Sequence, residues 1–128
     1  MKAIFIESSE FTEWVVEYLP DDAYAALQQE LMDQPAKGDV MPGCGGLRKV
    51  RAADPKRGQG KRGGARVISL YVPAVKWFFM LDIYGKDEKD DLTQDEKDFL
   101  SDLAVELKAE AIAAVQRRVS AGRKRTKS

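Results

Sequence analysis

At 128 residues, with 33% charged and 44% hydrophobic, the chain has room for one domain and one modest core, and its composition is that of a soluble globular protein. It holds no histidine and a single cysteine, Cys44, which excludes histidine-based acid–base chemistry, the usual zinc sites and an intramolecular disulfide, and fits a reducing cytoplasm. Lys plus Arg and Asp plus Glu number 21 each, for a formal net charge of zero, and no apolar run approaches the ~18 residues that span a bilayer.

The opening MKAIFIE has acids directly behind it and shows no signal-peptide pattern. Its apolar run Ala3, Ile4, Phe5, Ile6 predicts a first strand, ended by a helix cap at Ser8 or Ser9. Phe11, Trp14, Val15 and Tyr18 then recur at helical spacing. Pro20, Asp21 and Asp22 suit the first turn of a second helix, whose buried face is Tyr24, Leu27 and Leu31 and which stops at Gln34-Pro35. Residues 36–46 are a Gly/Pro-rich connection containing Cys44, and 47–51 predict a short strand. Residues 52–64 form a basic, glycine-rich loop. Its Gly60-Lys61 lacks the earlier glycine and the following Ser/Thr of a phosphate-binding P-loop.

The strongest strand signals are 67–72 and 77–84, read as an antiparallel hairpin. After an acidic turn at 87–91, Thr93 and Glu96 make a capping box for a helix whose apolar stripe is Leu100, Leu103, Leu107, Ala111 and Val115. Running to about Val119, that helix outreaches a small sheet, so its far end projects, meets a partner or frays. The expected fold is α+β, in the order β-α-α-β-β-β-α, with a small antiparallel sheet and the helices on one side. One domain over 1–120 and a basic disordered tail over 121–128 complete the expected organisation.

Zero net charge hides strong segregation. Residues 48–66 hold eight bases against one acid, while residues 1–40 hold nine acids and two bases. Like charges gather in a folded chain where a partner offsets their repulsion, and a polyanion is the commonest such partner. Lys49 and Arg51 lie two apart in a strand and so share a face. Arg66 begins the next strand, Lys61 and Arg62 lie in the loop before it, and Lys86 follows the last strand. Such a patch can grip phosphate through charge-assisted hydrogen bonds. It can also stabilise the charge that builds on phosphorus oxygens when an RNA 2′-OH attacks its neighbour, without metal or histidine. A basic sheet face that only binds is the competing reading.

Three stretches carry a resemblance: 45–51 (GGLRKVR), 60–68 (GKRGGARVI) and 84–93 (YGKDEKDDLT). Together, over about residues 1–105, they resemble the RelE/ParE superfamily, and within it the HigB-type toxins of type II toxin–antitoxin pairs. The resemblance implies a RelE-like fold and a ribosome-dependent mRNA endonuclease that needs no cofactor. It implies catalytic roles for Lys49, Arg51, Arg66 and Lys86, with Arg66 on the transition-state charge and Lys49 or Lys86 in proton transfer. It places RNA contacts at Arg48, Lys56, Arg57, Lys61 and Arg62. Expected partners are a helix-turn-helix antitoxin, the ribosome and mRNA, with operator DNA reached only through the antitoxin, no membrane, and a cytoplasmic location. The alternative within the superfamily is a non-catalytic interaction protein, either a gyrase inhibitor or an RNA-binding or corepressor module. The long final helix is a candidate antitoxin-docking surface.

Overall fold

A computed structural model describes residues 1–126 apart from 54–57, 59, 61–63, 87 and 90, with side chains through residue 121. The elements are β1 (Ile4–Glu7), α1 (Ser9–Tyr18), α2 (Asp21–Asp33), β2 (Asp39–Val40), β3 (Arg48–Ala52), β4 (Ala65–Val72), β5 (Trp77–Gly85) and α3 (Gln94–Thr126). The expected α+β class and order hold, with the two-residue β2 added inside the Gly/Pro-rich connection. Pairing rather than propensity makes β2 a strand: Asp39 and Val40 lie antiparallel to Lys49 and Arg48.

The five strands run in the order β1-β5-β4-β3-β2. The sheet is not wholly antiparallel as expected, because β1 lies parallel to β5, from Ile4↔Trp77 to Glu7↔Met80. Helices also cover both faces instead of one. Phe11, Val15 and Tyr18 of α1 and Leu27 and Leu31 of α2 pack with Val50, Val67, Phe78 and Met80. On the other face Leu100, Ala104 and Ala111 of α3 pack with Leu47, Ile68, Leu70 and Phe79. Alternate residues of β4 thus enter different cores. Its near-continuous apolar run is what a strand buried on both sides requires, and burying each large side chain contributes about 1.5–3 kcal/mol.

The ends of the elements follow local chemistry. Ser8 caps α1, its Oγ accepting from the Phe11 N–H at 3.0 Å and donating to the Leu81 carbonyl at 2.8 Å. The capping box at α3 is formed: the Thr93 N–H donates to Glu96 at 2.8 Å, and the Glu96 N–H donates to Thr93 Oγ1 at 3.2 Å. Four residues, Pro73 to Lys76, join β4 to β5, and Lys76 takes the left-handed φ of 58° that closes the turn.

α3 is 33 residues long, about 50 Å at ~1.5 Å per residue. It continues past the expected Val119, and residues 121–126 are helical where the sequence predicts a disordered tail. Among the described residues Ala111 is the last of α3 that the core buries.

Candidate nucleic-acid interface

The site is built on a row of cross-strand neighbours. Arg51 of β3 pairs with Arg66 of β4, and Arg66 pairs with Tyr84 of β5. Neighbouring strands stand ~4.8 Å apart and paired residues share a face, so two guanidinium-bearing positions and a phenol sit side by side. A bulge makes this row possible. β4 and β5 pair from Val72↔Trp77 to Ser69↔Met80, then resume at Ile68↔Asp82, leaving Leu81 as an extra residue on β5. Unbroken register would set Ile83 opposite Arg66 and turn Tyr84 to the other face.

Arg51 is exposed, whereas Arg66 is only 4% exposed. Arg66 Nη1 donates to the Ala65 carbonyl at 3.3 Å. Burial, and then the neighbouring Arg51, hold the Arg66 guanidinium below the usual arginine range, against the pull of Tyr84 and Asp39. Tyr84 is buried too, and its hydroxyl makes no hydrogen bond among the described residues. Burial, helped by Asp91 and opposed by Arg66, pushes its phenol up to about 12. The Lys89 ammonium lies 5.0 Å from the Tyr84 ring centroid, within cation–π range.

Lys49 shares the face of Arg51 but is tied down. Its Nζ lies 3.2 Å from Asp91 Oδ1, and Lys97 Nζ lies 2.9 Å from Asp91 Oδ2. Bonding to Lys97, and further to the Leu92 N–H and Lys49, lowers the Asp91 carboxyl to about 2. Lys49 is thus met by a carboxylate from the turn before α3. A small pocket of about 180 Å³ adjoins this bridge, lined by Asp39, Met41, Cys44, Lys49, Asp91 and Lys97.

Lys86 is exposed in the turn after β5, and its N–H donates to the Gly64 carbonyl at 3.0 Å, which sets this turn beside the start of β4. Arg51, Arg66 and Lys86, expected from sequence to converge, therefore come from adjacent strand positions at one end of the sheet. Arg48 is not brought to them: it alternates to the face of Val50, and its Nη1 donates to the Gly38 carbonyl at 3.1 Å. Lys56, Arg57, Lys61 and Arg62 lie outside the described residues.

Tyr84 and Asp91 were not among the sequence candidates. Tyr84 reads as one more strand aromatic until the bulge fixes its face, and Asp91 reads as one more acid of a solvated turn. Among the described residues no group of three or more His, Cys, Asp or Glu is arranged to hold a metal ion, and no helix is long and apolar enough to cross a membrane.

The sheet thus carries a basic row at one end and lies between a helical pair and a long final helix. A family model described as the RelE toxin of the RelE / RelB toxin–antitoxin system matches residues 8–123, and the chain belongs to that family. Among solved structures, a mutant of the E. coli toxin RelE in the free state aligns with a TM-score of 0.47 at 13% identity, over 70% of this chain and 90% of that one.

Proposed function

We propose that this toxin is a ribosome-dependent mRNA endonuclease, and that residues 1–120 form its single functional domain. One observation carries the reading: Arg51, Arg66 and Lys86 come from three consecutive strand ends onto one end of the sheet, in a chain without histidine. The attacking 2′-oxygen forms a bond to phosphorus, the bond to the 5′-oxygen breaks, and negative charge grows on the two non-bridging oxygens. Arg66 is the buried member of the row, where a charge acts through a lower dielectric and over a longer range. Arg51 and Lys86 are exposed and can meet phosphate directly. Two protons move: one passes from the 2′-OH to solvent water and one reaches the departing 5′-oxygen. Lys86 is the ammonium positioned to give the second, because Lys49 must first leave Asp91. No step in this scheme needs a metal ion.

The family's pairing of toxin with antitoxin supports a protein partner. The resemblance to HigB-type toxins supports a helix-turn-helix antitoxin, with operator DNA reached through it, and action in the cytoplasm on translating ribosomes. The test is cleavage of ribosome-bound message by purified protein, mapped by primer extension. Arg66→Ala should lower the rate by on the order of 10² or more, the loss of one preorganised donor to transition-state charge. Intact message with wild-type protein, together with arrest of gyrase supercoiling, would instead select the non-catalytic interaction protein.

A further inference from the structure

Away from the basic row, the first turns of α1 and α3 open onto a groove of about 620 Å³, lined by Ser8, Glu10, Asp82, Asp95, Phe99 and Leu103. Its wall is apolar where a surface helix is ordinarily polar. Phe99 stands 67% exposed at the rim, over the buried Leu81 and Leu100. An aromatic ring left in water on a well-formed helix contributes little to the fold, and such rings concentrate at protein interfaces.

The polar part of the groove has one sign. Glu10, Asp95 and Glu96 belong to first helical turns, where the helix dipole favours acids, and Glu96 also serves the capping box. Asp82 has neither reason. It lies on β5 beside the bulge, half-buried, and accepts from the Ile83 N–H at 2.8 Å. It forms no ion pair among the described residues. Burial drives its carboxyl upward, with Glu10 and Glu96 adding to the shift and Lys89 opposing it. An opposite charge brought beside it would relieve both causes.

We propose that this groove docks a segment of the toxin's protein partner, the antitoxin, presenting a lysine or arginine next to a large apolar side chain. The cation meets Asp82 and Glu10, and the apolar side chain packs on Phe99, Leu100 and Leu103. RNA and anionic lipid carry the wrong sign for this surface. The inference rests on the toxin reading only in taking the antitoxin as the occupant, and it does not require nuclease activity.

The experiment uses the full-length toxin and, as probe, the protein encoded beside it, both intact and as overlapping labelled peptides read by fluorescence anisotropy. One peptide with a basic residue adjoining Leu, Ile, Phe or Trp should bind. Phe99→Ala, Asp82→Asn and Asp95→Lys should each weaken that peptide and the intact protein by about tenfold or more. Phe99→Ala should leave the melting temperature unchanged, Asp95→Lys should lower it by no more than a few degrees through the helix dipole, and both should leave the cleavage of ribosome-bound message unchanged. Equal affinity of the variants and the wild type for the intact protein overturns the proposal, as does absence of binding by that protein. Variants that instead convert a toxin dimer into a monomer in sedimentation assign the groove to a second copy, which also overturns it. A toxin that cuts no message but loses its partner through these variants sinks the nuclease reading and leaves the groove assignment standing.

Discussion

Arg66 holds a positive charge at 4% exposure with a second guanidinium-bearing residue at its cross-strand position. The repulsion from Arg51 is one that a phosphate meeting both guanidinium groups would lower. Arg66→Lys keeps the charge and loses the planar fork. If the fork is what the transition state uses, cleavage falls by on the order of 10² while the protein remains folded, as primer extension alongside circular dichroism will show. Lys49 poses a different question, because Asp91 engages its ammonium. Asp91 titrates at about 2 in the folded chain against an ordinary 3.8. A depressed carboxyl stabilises the fold above its unfolded value and loses that contribution as pH falls through its folded one. Asp91→Asn should therefore melt slightly below the wild type at pH 7, and the gap should close between about pH 4 and pH 2. With the Asp91 side chain 45% exposed, the gap is a few degrees at most. The same substitution frees Lys49, so RNA affinity should rise and its dependence on log salt should steepen by about one.

At the scale of elements, Ser8 links folding to the site. Its Oγ caps α1 and donates to the carbonyl of Leu81, the extra residue of the bulge, while its N–H donates to the Met80 carbonyl at 2.9 Å. The bulge in turn sets Tyr84 on the face of Arg66. Ser8→Ala should cost about 1–2 kcal/mol, the loss of a cap and of a bond to a buried carbonyl, and it should also slow cleavage. Thr93→Ala removes only a cap and should cost about 1 kcal/mol with cleavage intact. Urea unfolding paired with primer extension separates the two, and equal cleavage by both variants would deny Ser8 any hold on the row. The caps themselves were legible in the sequence, because capping is local chemistry between residues three apart. So was the shared face of Lys49 and Arg51, which depends only on strand alternation. The bulge was not, since one extra residue between two apolar strands changes no composition and no period. Nor was the parallel pairing of β1 with β5, which joins chain segments some seventy residues apart. The helix on the second face could have been inferred from the unbroken apolar runs of β4 and β5, which leave neither side fit for water.

Across the whole molecule charge is sorted by surface. Bases gather on the end of the sheet and along the distal part of α3, and acids gather around the groove between α1 and α3. Six bases follow Val115 and no acid does, so a chain ending there would carry a net charge of −6 instead of zero. Among the described residues Ala111 is the last of α3 in the core, and none from 116 to 121 is buried. Truncation after Val115 should thus move the melting temperature by no more than about 3 °C, whereas truncation after Leu103 removes Ala104 and Ala111, opens the second core and should prevent folding. The shorter chain isolates what the distal bases do. If they touch ribosomal or messenger RNA, the truncated toxin binds more weakly, and its slope of log affinity against log salt is shallower by ~0.7–0.9 for each phosphate it no longer neutralises. Single-turnover cleavage at saturating toxin should stay near the wild-type rate, because the row of Arg51, Arg66 and Tyr84 lies on strands the truncation leaves intact. An unchanged salt slope would free the distal helix from any part in RNA binding. A collapse of the saturated rate would mean that the helix acts on the row itself.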